Sequence, residues 1–327
     1  MNYSKLYLLM SVSALTLCGC RSTTSQDEVV SERYIHKYGY AISKEDWNSG
    51  EYPGQVITQK KDGVTVTATY EGGLLHGPTT HTFPHSQMVE QFYLYNQGAK
   101  VKEIRYNLEG MPVQEIVQLS PSRYAVTRWY RSGSPLSVEE FVGNELLEGQ
   151  YFSAANEIES RIEKGNGIRI QRNIEGLLLA KEEFIQGALA QRETFHPNGL
   201  PSSIAHYYMG KLHGEKSVFG LQGEPISVEE YIGDELHGNA SYFNHGVKYK
   251  DVSYLYGQKN GVEKHYIDGS ILSEEIAWEN DLQHGCQRIY HEGGIDERWF
   301  YAGDSVSAKK FDELNRLDAM ISQISIN

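Results

Sequence analysis

The chain has 327 residues, a formal net charge of −13 and 39% apolar residues, with 23 tyrosines and 32 glycines. That acidity argues against nucleic acid as a ligand, and against anionic lipid headgroups as a partner for the body of the protein. The low apolar fraction fits a sheet that buries one face and wets the other better than a large globular enzyme.

At the N-terminus Lys5 precedes an apolar run from Leu6 to Leu17, too short to span a bilayer but suited to a signal-peptide core. It runs into Leu17-Cys18-Gly19-Cys20, which resembles the lipobox of bacterial lipoproteins. Cys20 fits as the lipid acceptor better than Cys18, because a small residue precedes it. The resemblance implies a lipoprotein signal peptide over 1–19 and an acyl anchor on Cys20. With Arg21 following, it implies an outer-membrane address, facing periplasm or cell surface. Residues 20–31 are polar and unpatterned and read as a flexible tether. Residues 32–55, with Tyr34, Tyr38, Tyr40, Trp47 and Tyr52, read as an N-terminal cap segment.

From 56 to 306 one phrase returns: an aromatic, a glycine turn, a leucine, then His-Gly. It is clear at Tyr70–Gly77, Tyr208–Gly214, Tyr231–Gly238 and Trp278–Gly285, and worn at Phe141–Gly149, Ile162–Gly167 and Tyr256–Gly261. The glycines Gly214, Gly238, Gly261 and Gly285 are 23 or 24 residues apart, which is the signature of stacked units. The interval from Gly149 to Gly167 is several residues short, so one unit there is truncated. A second, weaker phrase lies between: an aromatic, polar residues and glycine, as in Phe195-His196-Pro197-Asn198-Gly199 and Tyr266-Ile267-Asp268-Gly269. Asn-Gly and Asp-Gly supply the positive φ angles of tight hairpin turns. Runs such as Val64–Tyr70 alternate with period two and are rich in β-branched residues. The expected fold is all-β: an elongated single sheet of repeated antiparallel β-hairpins, with tyrosines stacking ring on ring across one face.

The recurring Tyr-x-x-Gly-x-Leu-His-Gly string is similar to the MORN repeat family, in its degenerate bacterial variant. The resemblance covers most of residues 60–305. It implies a long hairpin sheet acting as a scaffold or binding platform. Some bacterial variants are linked to antitoxin roles, with which an export signal is hard to reconcile. From Ser307 the period changes: Phe311, Leu314, Leu317, Ile321 and Ile324 recur at three and four residues, predicting an amphipathic capping α-helix over 307–327 with Ser307 at its start.

Chemistry has few footholds. His76-Gly77, His213-Gly214, His237-Gly238 and His284-Gly285 occupy equivalent slots in separate units, so the histidines serve turn geometry rather than one metal or catalytic centre. His76, His81 and His85 form a local trio that would be a weak zinc or copper site, lacking a carboxylate or thiolate at matching spacing. No nucleophile elbow, phosphate-binding glycine loop or zinc-protease helix is present. Cys286 reads as a small buried residue. The acidic pairs before each aromatic place one glutamate per unit in a solvated stripe interleaved with tyrosines. Glu140, Glu183, Glu230 and Glu275 are its candidate partner-binding residues. The expected function is therefore non-catalytic: a lipid-anchored envelope protein, without cofactor, that holds a protein partner on its sheet. A surface-exposed or secreted effector that binds host or glycan ligands is the alternative. Antitoxin-like or enzymatic roles rank lower.

Overall fold

The computed structural model describes residues 28–325, with side chains as far as 321. Its 27 strands form one antiparallel sheet in which neighbours in sequence are mostly neighbours in space, from the short Ala41–Ile42 strand outside Val29–His36 at one end to Asp304–Val306 at the other. Two helices complete it: α1 (Lys44–Ser49) and α2 (Ala308–Ser325). The all-β hairpin sheet with a C-terminal helix is thus the observed architecture.

Each unit has two turn chemistries. On the His-Gly margin, two-residue turns hold both central residues at positive φ, as at Gln97 (47°) and Gly98 (82°). This is the type I′ geometry whose twist matches that of the strands. On the opposite margin the Gly199 N–H donates to His196 O (2.9 Å) and the His196 N–H to Leu200 O (2.8 Å), a type I turn closed by a glycine at positive φ. Asp268-Gly269 behaves as the sequence suggests, with φ of 50° and 81°, whereas in Asn198-Gly199 only the glycine is left-handed. The His-Gly margin is also stitched lengthwise. The Gly98 N–H donates to Leu75 O (2.7 Å), Asp234 to Leu212 (3.0 Å), Gly257 to Leu236 (2.8 Å) and Gly303 to Gln283 (2.9 Å), each joining one turn to the unit before it.

Strand parity defines two faces. On one, called inner here, lie Tyr70, Tyr93, Glu139, Ile162, Glu182, Glu229, Val252 and Ile276; residues one position away look outward. The inner face is the inside of a bend. The Arg131 N–H reaches Ile174 O at 3.0 Å, although their turns are four strands apart and a flat sheet would separate them by about 19 Å. The bend coincides with the shortened interval. There the hairpin Ile158–Glu163/Asn166–Arg172 keeps only two register pairs, so its far ends splay and the sheet curls. Inside the curl Leu146, Tyr151 and Ile162 are buried together, with Phe141, Ile170 and Phe184 packed around them.

The tyrosine rings form no continuous ladder. Tyr93 meets Tyr95 at 6.3 Å and Tyr124 stacks on Phe141 at 5.1 Å. Elsewhere tyrosines bond to carboxylates: Tyr34 to Glu32, Tyr231 to Glu229, Tyr266 to Asp251 and Tyr290 to Glu275. In the first two the acid lies two residues before the tyrosine and shares its face, and in the last two it comes from the neighbouring strand.

At the N-terminal end the strand starts at Val29, so residues 29–31, expected in the tether, pair with Gln59 and Lys60. The 32–55 segment supplies that strand's remainder, a short outer strand (Ala41–Ile42) and α1, whose Trp47 packs on Tyr34 (5.6 Å) and Tyr70 (5.9 Å) from the inner face. At the other end Ser307 caps α2, its Oγ accepting from the Lys310 N–H at 3.2 Å. Phe311 then sits on Trp299 (5.0 Å) and His284 (5.2 Å), both on the outer face. Only the first turns of α2 are covered; Leu317, Met320 and Ile321 are exposed. The apolar stripe is longer than the surface that receives it.

Candidate functional site

The His-Gly slot has a structural job that the geometry makes explicit. His76 Nδ1 accepts from the Gln97 N–H at 3.2 Å and His284 Nδ1 from the Ala302 N–H at 3.4 Å, each in the next unit's turn. Where the histidine is replaced the job survives: Glu148 accepts from the Lys164 N–H (3.1 Å) and Asn166 from the Gln186 N–H (2.9 Å). His213 and His237 lie against Tyr208 (5.6 Å) and Tyr256 (4.7 Å). The glycines Gly77, Gly214, Gly238 and Gly285 have φ between 92° and 115°, where a side chain would strain the backbone.

The histidine trio is dispersed. His81 sits on the inner face against the Tyr93 ring at 5.4 Å, and burial, then Lys60, lowers its pKa. The His85 ring covers Gly63 beyond the strand end. Among the described residues, no three metal-ligating side chains converge. Cys286 is half-buried, and burial pushes its thiol pKa up. Cys20 lies outside the described residues.

The acidic pairs split across the sheet. Their first members, Glu139 and Glu182, are buried on the inner face in a row of alternating charge. Arg128 meets Glu139 at 2.6 Å, Glu139 meets Arg169 at 2.7 Å, Arg169 meets Glu182 at 3.3 Å, and Glu182 meets Arg192 at 3.4 Å. Tyr151 Oη adds a 3.0 Å bond to Glu139, and Gln171 a 2.9 Å bond to Glu182. Burial works to raise the Glu139 pKa, but Arg169 and Arg128 outweigh it and hold the carboxyl below its ordinary range. Burial, then Glu139, pushes the Tyr151 phenol well up. Sequence reading missed this row, although its signal was present: arginines on flanking strands and a glutamate two residues before each aromatic.

The second members face outward, so the expected stripe is not uniform. Glu140 is bound by Arg123, whose Nε lies at 3.0 Å. Glu275 is flanked by Arg288 (3.6 Å), Lys264 (3.9 Å) and Tyr290 (2.8 Å). Glu183 and Glu230 are exposed. Ion pairs run from Arg192–Glu182 directly to Lys248–Asp251, with none between among the described residues. Tyrosines accompany these carboxylates only in places, as Tyr290 does at Glu275, while Tyr231 lies on the inner face with Glu229. Beside the outward carboxylates, at the last position before four successive type I′ turns, Ile185, Tyr208, Ile232 and Leu255 form an outward row, each 40–60% exposed, which ends at Glu279 in the next unit. The row's cross-strand partners include His213 opposite Ile232.

Several concavities lie in the other half of the molecule. An apolar cleft of about 430 Å³, lined by Phe83, Tyr106, Leu108, Val113 and Ile174, opens where the bend closes, with the Glu109–Arg131 pair at its rim. A groove of about 820 Å³ runs along the unpaired edge of Val29–Arg33. No helix among the described residues is long and apolar enough to cross a membrane.

No protein-family model matches the chain, and no curated protein does. Solved structures match in part. The crystal structure of TarM aligns at 11% identity over 39% of this chain and 19% of that one, with a TM-score of 0.17. An S. aureus TarM mutant in complex with fondaparinux, alpha-GlcNAc-glycerol and UDP aligns at 9% identity over 42% and 21%, again with a TM-score of 0.17. The chain thus spans about a fifth of those proteins' length, and a likeness at that score carries no argument.

Proposed function

We propose that this chain is a non-catalytic, MORN-like scaffold, anchored by a lipid on Cys20 to the bacterial outer membrane, that holds a protein partner on its sheet. The observation that supports the reading most is the uncovered outer face. Side chains in equivalent slots repeat there at a fixed step over several units, ending where α2 lies on His284 and Trp299. Such a surface offers multiple equal contacts to an elongated partner rather than one converging centre. Crosslinking and capture from native membranes tests it, comparing wild type with Glu→Lys changes at Glu140, Glu183, Glu230 and Glu275. The captured set should shrink; an unchanged set counts against the reading. Metabolic labelling with palmitate, lost in Cys20→Ala, tests the anchor.

A glycan-binding reading has one observation in its favour. His36 is ringed by Tyr40 (4.6 Å, stacked), Tyr38 (5.1 Å) and Tyr52 (6.1 Å), all three tyrosines exposed at the N-terminal end. Aromatic faces of that kind suit sugar rings. Glycan-array binding abolished by Tyr38→Ala with Tyr40→Ala would favour it over the scaffold.

A further inference from the structure

We infer that the outer row Ile185–Tyr208–Ile232–Leu255 is a docking site for an amphipathic α-helix with a basic flank, supplied by a partner protein. The inference rests on the scaffold reading for the choice of a protein ligand and names the partner's chemistry.

Three observations carry it. First, the chain already contains one such complex. At the last unit the equivalent outer positions, Tyr301 and His284, are covered by α2. Phe311 packs on both rings, Asn315 bonds to His284 at 3.2 Å, and Asp318 bonds to the Tyr301 hydroxyl. Residues 311, 315 and 318 are spaced i, i+4, i+7, one face of a helix. Four earlier units present the same slot uncovered, filled by apolar side chains that are 53%, 60%, 40% and 43% exposed, with Met209 and Tyr256 exposed beside them. Second, the spacing fits. Adjacent members lie two strands apart, about 9.6 Å, so the row is roughly 29 Å long. A helix advances about 10.5 Å per seven residues, so leucines at seven-residue intervals keep step with the row, and a helix of about 19 residues spans it. Third, acid outnumbers base beside the row, where Lys211 is the cross-strand partner of Tyr208. Glu183 and Glu230 stand one outward position in from Ile185 and Ile232, and Glu235 is the cross-strand partner of Ile232. Glu215 lies directly opposite Glu230. Two carboxylates opposed across a pair of strands repel each other, and no described cation bridges them. Lysines or arginines on a docked helix would relieve that repulsion while leucines cover the row. The row's partner is unlike α2 in this respect, since the first 14 residues of α2 carry Lys309, Lys310 and Arg316 against Asp312, Glu313 and Asp318 and so have no net basic flank.

The probe is a synthetic 20-residue helical peptide with leucines at heptad positions and lysines flanking them, together with a scrambled peptide of equal composition. Binding to the full mature chain is read by fluorescence anisotropy. The heptad peptide should bind at least tenfold tighter than the scramble. Ile232→Asp with Leu255→Asp should weaken it at least tenfold, and Glu183→Lys with Glu230→Lys likewise. Glu45→Lys with Glu292→Lys, which changes charge equally on exposed residues elsewhere, should change it less than twofold. Circular dichroism of each variant establishes that it is folded. Equal binding of the scramble, or equal loss in the charge-matched control, overturns the proposal. So does a dimer of the chain that Ile232→Asp dissociates, since the occupant would then be a second copy. So does co-sedimentation of the chain, without peptide, with phosphatidylcholine vesicles that Ile232→Asp with Leu255→Asp abolishes, since the occupant would then be a membrane. Failure here, with native capture still lost in the four-glutamate variant, leaves the scaffold standing with a different partner chemistry.

Discussion

The segment from Arg123 to Phe195 and the segment from Pro201 to Tyr301 are built from the same repeat, yet they are stabilised differently. In the first, one unit is short, the sheet curls, and side chains three strands apart meet: Glu139 of strand Pro135–Val142 binds Arg169 of strand Asn166–Arg172. In the second, units keep their length. The corresponding Glu229 is only half-buried and bonds to Tyr231 on its own strand at 2.8 Å. A few missing residues thus convert a polar face with local contacts into a small core with long-range ones. The lesson is that a repeat's irregular copy can be where its tertiary structure is concentrated.

The sharpest break of that comparison is Glu139→Ala. It leaves the half-buried Arg169 with Glu182 alone and removes the acceptor of the buried Tyr151 hydroxyl, and should cost about 3–5 kcal/mol in urea unfolding, against about 1 kcal/mol for Glu229→Ala. Equal losses would erase the distinction. Next, Ile162→Ala, at 1% exposure, should cost about 2–4 kcal/mol, while Ile232→Ala on the outer row should stay within about 0.5 kcal/mol. Acid sharpens the contrast further. The Glu139 carboxyl is depressed in the folded state, so its stabilising contribution is complete above the unfolded value near 4.3 and is lost as pH falls through the lower folded value. Thermal melts from pH 6 to pH 3 should fall more steeply for wild type than for Glu139→Gln. The last contrast is at the glycine slot. Gly238→Ala meets a φ of 94° and the Glu230 carboxylate, and should cost about 1–2 kcal/mol. Gly149, in the same slot of the bend, is not left-handed, so its alanine variant meets only the Tyr151 ring and hydroxyl.

Much of this fold was legible in the chain because its information is local. Asp268-Gly269, the Leu-His-Gly strings and the three-four spacing after Ser307 each specify a turn or a helix within a few residues. The shortened interval before Gly167 was also visible, but its consequence was not, since a curl depends on how strands four apart pack. The glutamate pairs failed for another reason. Adjacent strand residues face opposite ways, and composition alone does not say which carboxylate turns inward. The aromatic two residues later does say so, which makes Glu139 and Glu182 the inner members and leaves Glu183 and Glu230 in solvent. The start of the first strand at Val29 was hidden by polar neighbours: Glu28 and Ser31 read as linker, until Lys60 and Gln59 pair with Val29 and Ser31.

The stitches from Gly98 to Leu75, Asp234 to Leu212, Gly257 to Leu236 and Gly303 to Gln283 give this ribbon a mechanical handedness. One margin is laced by main-chain bonds at nearly every unit, whereas the other is tied at fewer main-chain points, as His85 to Gly63 and Arg131 to Ile174, and by side chains such as His196 and Asn198. Flexing within the plane of the ribbon should therefore pivot nearer the first margin, spreading or crowding the opposite loops. A ligand clasped along the laced margin would feel little of that motion, while one gripping the opposite rim would be stretched by it.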